Sequence, residues 1–328
     1  LSAASKIVLD FPLVPNLRKQ KLNVWRKAEI RFKSFKSGGK IMSIQLRPAS
    51  PADAGQIAPI IKAAFDGIAD RHNFPYDFPT LDHAMTVSNW CCGDPTVWGV
   101  VAEQNGKITG SNFLHEGNEI AGVGPITIDP NAQASGVGRK LMEAVIERGL
   151  RAPGIRLVQD AFNTVSMSLY AGLGFDIKEP LVLIVGKIAG ESAAGYEVRR
   201  MDESDFADCD RLHHQIHGFS RLHDIGQNSQ IFQSFVALRG ERIVAYASAP
   251  NFWQANHAVA ETEADLHAVL LGAARFADQP LSFLLPTRQA SLFRWCLSKK
   301  MRVVKPMSLM AMGAYEEPNG AFLPSVLY

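Results

Sequence analysis

The chain has 328 residues, 47% hydrophobic and 20% charged, which is room for two ordinary domains with sizeable cores. That composition excludes a disordered, collagen-like or Gly/Pro-rich chain, and no apolar run approaches the roughly 18 residues a membrane span needs. The formal charge of +2 hides an asymmetry: residues 1–41 carry ten Lys/Arg against Asp10 and Glu29, so the remainder is acidic and a poor candidate for binding nucleic acid.

Residues 1–41 have no clean helical stripe, no signal-type apolar core and no cleavage site. They are expected to be a basic leader outside the fold, with Met42 opening the folded body. Cys91, Cys92, Cys209 and Cys296 lack metal-ligand spacing and are expected to be reduced thiols in a cytoplasmic protein. His213, His214 and His217 share one predicted helix without a zincin pattern, so no metal is expected.

After Met42 the spacing predicts a strand at 44–47, then a helix start at Ser50-Pro51-Ala52-Asp53. Ile57, Ile60, Ile61, Ala64, Phe65 and Ile68 give that helix one apolar face. A Pro/aromatic loop at 73–79 precedes a second helix over about 80–90. Strands at 96–103 and 107–115 flank Asn105-Gly106, a hairpin signal. A strand at 120–128, a helix at 136–150, a strand at 156–160 and a short helix at 163–171 follow. Two terminal strand segments are expected, near Phe175 and at 181–185. The helix between 128 and 156 is a crossover, so those two strands should be parallel neighbours.

A second copy begins at Tyr196. Arg47, Asp53, Ile57, Ile60 and Ala64 are matched by Arg199, Asp205, Cys209, Leu212 and Ile216. Ala102, Lys107 and Ile108 are matched by Ala237, Arg242 and Ile243. Ser168-Leu169-Tyr170 pairs with Ser291-Leu292-Phe293, and Pro180–Leu183 with Pro306–Leu309. Four matches in the same order predict a duplication: a first domain over 42–187, a linker at 188–195 and a second domain over 196–328.

Chemistry concentrates in Gln133-Ala134-Ser135-Gly136-Val137-Gly138-Arg139, between a strand and an amphipathic helix. Glycines there let backbone N–H groups approach an anion at the positive end of the helix. No Walker lysine follows, and three antiparallel strands precede the loop, which is not the dinucleotide-binding pattern. Together with Asp129-Pro130 and Asn163…Ser168-Leu169-Tyr170-Ala171-Gly172-Leu173-Gly174-Phe175, this loop resembles the GNAT superfamily of acyl-CoA N-acyltransferases over residues 44–187. The second copy resembles it in outline only. The implied fold class is α/β, a mixed α+β sheet in two tandem GNAT-like domains.

The resemblance implies acetyl-CoA as co-substrate. Its pantetheine arm would lie between two splayed strands and pair with backbone near Ile126 and Ile128, and its diphosphate would sit on N–H groups from Ala134 to Arg139. Asn163 would hydrogen-bond the arm. Tyr170 would act as general acid toward the leaving thiolate, because a phenol with pKa ~10 stays protonated at neutral pH. The base is open among His115, Glu116, Glu119 and Asp160, with Glu116 the candidate carried forward. Asp70, His72, Tyr76 and Asp77 are the acceptor-side candidates. In the second copy Glu261-Thr262-Glu263-Ala264-Asp265 replaces the glycine loop and would repel a diphosphate. The expected activity is acetyl transfer to the primary amine of a small molecule or peptide, by direct attack in a ternary complex. The competing expectation is a non-catalytic acyl-CoA sensor.

Overall fold

Strand β1 (Gln45–Pro48) turns into its helix at a corner closed by two side chains. The Arg47 guanidinium donates to both Asp53 carboxylate oxygens at 2.8 Å, and the Ser50 N–H and hydroxyl donate to the same carboxylate. The Arg47 hydrogen bonds lead in holding the Asp53 carboxyl down at about 2. The same corner recurs after β8 (Tyr196–Arg200), where Arg199 donates to Asp205 at 2.7 and 2.8 Å and Asp202 stands in the place of Ser50. This recurring corner is the local signature of the duplication. The computed structural model describes residues 44–132 and 136–327. The expected leader, the start at Met42 and the loop residues Gln133, Ala134 and Ser135 lie outside the described residues.

The first half continues as α1 (Ala54–His72), α2 (Leu81–Gly93), β2 (Val97–Gln104), β3 (Lys107–His115), β4 (Ala121–Val123), β5 (Thr127–Ile128), α3 (Val137–Gly149), β6 (Gly154–Asp160), α4 (Thr164–Gly172) and β7 (Asp176–Gly186). Asn105 and Gly106 both have positive φ, 54° and 72°, as a tight two-residue hairpin requires. The expected strand at 120–128 is broken into β4 and β5 around Gly124-Pro125. The second half repeats the series as α5 (Phe206–His217), α6 (Leu222–Ile231), β9 (Phe235–Arg239), β10 (Arg242–Ala247), β11 (Ala258–Ala260), α7 (Glu263–Phe276), β12 (Leu281–Pro286), α8 (Ala290–Ser298) and β13 (Arg302–Gly313). It then adds β14 (Ala321–Leu323).

The halves exchange their last strands. One sheet runs β1-β2-β3-β4-β6-β13-β7-β12, with β5 paired to β3 alone. Strand β13, from the second half, pairs antiparallel with β6 from Met307↔Asp160 to Gly313↔Gly154. Strand β12 in turn pairs with β7 from Leu281↔Gly186 to Pro286↔Leu181. The two terminal strand segments expected in the first half are therefore one strand. It runs unbroken because both its edges find partners, β13 and β12, in the other half. A second sheet holds β14-β11-β10-β9-β8.

The cores cross the halves as well. Met310 of β13 packs with Leu141, Val145, Leu157 and Tyr170 under α3 and α4. On the opposite face Leu181 and Leu183 pack with Phe219, Leu284, Met307 and Leu309. At about 1.5–3 kcal/mol for each large apolar side chain buried, this shared packing is a major stabilising contribution. No helix among the described residues is long and apolar enough to cross a membrane.

One expected match shifts by a helical turn. Asn163 caps α4 and Gln289 caps α8. The Phe175 N–H donates to the Tyr170 carbonyl as the Met301 N–H does to that of Cys296, both at 3.1 Å. The counterpart of Tyr170 is thus Cys296, not Phe293, and that of Asn163 is Gln289. A slip of three residues keeps the same helix face apolar, so the sequence pattern could not detect it.

Candidate active site

Strands β4 and β6 run parallel and pair only at Ala121↔Ile155 and Gly122↔Arg156. Beyond that point the chain leaves β6. The Gly124 N–H donates to Phe113 at 2.9 Å, and β5 pairs with β3 through Gly110↔Ile128 and Ser111↔Thr127. Strand β6 meanwhile continues to Asp160 against β13. The outer edge of 125–128 and the edge of 157–160 thus face each other across a gap. Ile126 and Ile128, both half-buried, lie on its β5 side.

At one end of the gap Gly136 caps α3 with φ 79°, and a Cβ built there would meet nothing within 4 Å. The first-turn N–H groups of α3 are therefore approachable by an anion. A Cβ on Gly138 would lie 3.1 Å from the Ile128 side chain, so this glycine lets α3 close on β5. Val137 is buried in the core and Arg139 is exposed, 3.7 Å from Glu143.

The start of α4 forms the other wall. The Asn163 Oδ1 accepts the Ser166 N–H at 3.3 Å, and Nδ2 donates to the Ser166 hydroxyl at 2.9 Å. Ser166 stands one helical turn before Tyr170 on α4. Tyr170 is 5% exposed, and burial pushes its hydroxyl up to about 12, with Ser166 opposing the rise and the Asp160 charge adding to it. It is therefore a held proton donor at neutral pH. Sequence reasoning missed Gln159. Its side chain is buried on β6 beside the gap, and neither amide atom has a hydrogen-bond partner among the described residues. An orphaned buried amide fits a site that receives an amide-bearing ligand such as a pantetheine arm.

The opposite face of β6 carries Asp160. Lys305 Nζ, on β13, lies 2.7 Å from both Asp77 oxygens and 2.7 Å from Asp160 Oδ1. Burial pushes the Asp77 carboxyl up, and Lys305 pulls it back. The 73–79 loop is also pinned by Phe74, which stacks on Phe162 at 4.2 Å, and by His72, 5.1 Å from the same ring. Tyr76 donates to Asp70 at 2.7 Å on the exposed side of the loop. Of the four acceptor-side candidates, the structure brings Asp77 to the end of the gap and leaves Asp70 and Tyr76 outward.

Three candidate bases are engaged elsewhere. Glu116 is held by a two-pronged Arg148 contact at 2.8–3.1 Å, at the end of α3 opposite Gly136. The structure sets Glu116 away from the gap: both its oxygens are taken up by Arg148, and the 13-residue helix puts that contact about 18 Å from the glycine cap. Glu119 accepts the Ser220 N–H at 3.2 Å. His115 Nε2 bonds the Gly124 carbonyl at 2.7 Å, and burial pulls its pKa down.

The matching gap of the second half is filled by the chain itself. Strand β14 pairs antiparallel with β11 from Ala258↔Leu323 to Ala260↔Ala321. Gln289, the counterpart of Asn163, grips its backbone: Nε2 donates to the Phe322 carbonyl at 2.6 Å, and Oε1 accepts the Phe322 N–H at 3.2 Å. Thr262 and Asp265 cap α7 reciprocally, and Glu261 is bound by Arg239 and Arg242. A cavity of about 480 Å³ remains beside this helix start, with Glu261, Glu263 and Gln289 in its wall.

This arrangement agrees with what the chain resembles. Residues 65–175 match the model of the acetyltransferase (GNAT) family, and the chain carries a domain of that family. A putative acetyltransferase from Pyrococcus horikoshii is similar in structure, with TM-score 0.67 and 15% identity over 92% of this chain and 99% of that one. A GCN5-related N-acetyltransferase from Sphaerobacter thermophilus gives TM-score 0.55 and 14% identity over 84% and 96%. A tandem GNAT protein from the clavulanic acid biosynthesis pathway gives 0.54 and 10% over 84% and 100%. At these identities the likeness is one of fold. No curated protein matches the sequence.

Proposed function

We propose that the chain is a cytoplasmic N-acetyltransferase that binds acetyl-CoA in the first half and passes the acetyl group to a primary amine of a small molecule or peptide. The observation that carries this reading is the contrast between the gaps. The first faces the orphaned Gln159 amide and ends at an approachable helix start, whereas β14 fills the second. The pantetheine arm would thread the first gap past Gln159 and Asn163, with the diphosphate at Gly136–Arg139. The amine nitrogen attacks the thioester carbonyl, the C–N bond forms as the C–S bond breaks, and the departing thiolate takes the Tyr170 proton. The amine gives up its own proton to a base on the acceptor side. Cys91, buried and with its thiol pushed up, and Cys92, at about 11, are poor nucleophiles, which favours direct attack over a covalent intermediate.

Two observations favour the second reading, a non-catalytic acyl-CoA sensor: Tyr170 is packed in the core and Glu116 is committed to Arg148. A panel of primary amines with acetyl-CoA, followed by release of free CoA thiol, separates the two. The enzyme releases thiol with at least one amine. A sensor binds acetyl-CoA and releases none.

A further inference from the structure

The Asp77–Lys305–Asp160 cluster serves no step described so far, and folding does not account for it. A buried ammonium with two carboxylates is commonly no more stabilising than apolar side chains of the same volume. Both carboxylates belong to the first half, whereas the ammonium arrives on β13 from the second. The ring of Trp253, also from the second half, lies 5.1 Å from Lys305 Nζ.

The rest of this face is likewise walled by the second half. The Arg156 guanidinium, on β6, lies 4.8 Å from the Phe219 ring and 5.0 Å from that of Tyr315. A Cβ on Gly122 of β4 would come within 2.7 Å of the Leu327 carbonyl oxygen, so the end of the second half lies directly on that strand. Asp160 stands at the end of β6, where the gap is open. Its Oδ1 lies 2.7 Å from Lys305 Nζ as an ion pair that meets no hydrogen-bond geometry, and its side chain keeps 12% exposure.

We propose that Lys305 is a positioning residue of the amine site, holding Asp160 by one oxygen so that the other receives the acceptor's ammonium group. This rests on the reading of the chain as an N-acetyltransferase. Asp160 Oδ2 takes a proton from the ammonium, the neutral amine attacks the thioester carbon, and the thiolate leaves with the Tyr170 proton. At the cluster itself two carboxylates face one ammonium, so the site selects a primary amine without a neighbouring carboxylate.

The test uses the full chain and matched acceptor pairs, tyramine against L-tyrosine and histamine against L-histidine, with thiol release from acetyl-CoA as the rate. In each pair the amine is expected to have at least a tenfold higher kcat/KM than the amino acid. Lys305→Met should lower kcat/KM for the amine at least tenfold, and Lys305→Arg should recover part of it. The acetyl-CoA Kd should stay within twofold in both variants, a separation that a general loss of structure would not give. Asp160→Asn keeps the Lys305–Asp77 pair and covers the case in which Lys305→Met does not fold; its turnover should fall about 100-fold. Turnover within twofold of wild type in folded Lys305→Met or Asp160→Asn, or preference for the amino acids, overturns this inference alone. No thiol release by the wild type with any amine removes the N-acetyltransferase reading and this inference with it.

Discussion

Glu179 and Lys305 each stand fourth on an exchanged strand, β7 and β13, and send opposite charges into opposite halves. Lys305 meets Asp77 and Asp160 of the first half, while Glu179 Oε1 accepts from Arg288 Nε of the second at 2.6 Å. The strand register makes the relation symmetric: Lys305 lies opposite Leu183, and Glu179 lies opposite Leu309. Burial pushes the Glu179 carboxyl up, with Arg288 pulling it back. Each half therefore completes the end of the other's gap, and the nine-stranded sheet is not whole without the exchange.

The exchange predicts that the first half does not fold alone. A chain ending at Gly186 leaves both edges of β7 unpaired and uncovers Leu181, Leu183 and Ile184. Size-exclusion chromatography and circular dichroism should find an aggregate or a strand-exchanged dimer. A folded monomer melting near the full-length temperature would contradict the exchanged topology.

Tyr170→Phe removes the hydroxyl and keeps the ring among Leu141, Leu157 and Met310. If the phenol protonates the leaving thiolate, kcat should fall about 100-fold or more, with acetyl-CoA affinity nearly unchanged. The counterpart Cys296 gives no precedent for Phe at this position, so the melting temperature is measured alongside. Equal turnover in a folded variant would leave water as the proton donor.

Glu116→Gln tests whether Glu116, held by Arg148, takes any part in turnover. The substitution removes a partly exposed ion pair, worth about 1 kcal/mol or less, so the melting temperature should drop by about 2–4 °C at most. Turnover should stay within twofold. A 100-fold loss of kcat at unchanged acetyl-CoA affinity would restore Glu116 as the base.

Acid should weaken the second half. His213 stacks on His217 at 4.5 Å, and Tyr246 bonds His257 Nδ1 at 3.1 Å, all buried. Burial pulls His213 down to about 3 and His217 and His257 well below the ordinary imidazole range. Above pH ~6.5 neither the folded nor the unfolded state protonates them. Below it only the unfolded chain takes up protons, so stability is fully present above ~6.5 and falls as pH drops toward 3, by up to about 1.4 kcal/mol per unit for each histidine. Asp77 and Glu179, with raised carboxyls, act in the opposite sense but are fewer. Urea unfolding at pH 7 and pH 5 should give a smaller unfolding free energy at pH 5. Equal values would contradict the buried neutral histidines.

Much of this was legible from residues alone. The Arg–Asp corners, the Asn-Gly hairpin and the glycine cap are local features in which neighbouring residues interact, so spacing reveals them. The strand exchange was not legible, because Leu181–Val185 reads as a buried strand whichever half supplies its neighbours. Lys305 was hidden for the same reason: a lone lysine just before Pro306 signals nothing until the topology places two carboxylates against it. Gln159 carried no motif and stands out only through a buried amide without a partner. The three-residue slip between α4 and α8 was invisible to a pattern that repeats at nearly the same interval.

The account turns on one open acyl-CoA gap per chain, bounded by Gly136 and paired with a second gap that β14 fills. Titration calorimetry with acetyl-CoA on the full chain and on Gly136→Glu tests it most directly. The wild type should bind one acetyl-CoA per chain. Gly136→Glu places a charged side chain in open space at the α3 cap, in a left-handed conformation costing about 1–2 kcal/mol, and should weaken binding at least tenfold in a folded protein. Two equivalent sites, or affinity unchanged by Gly136→Glu, would contradict it.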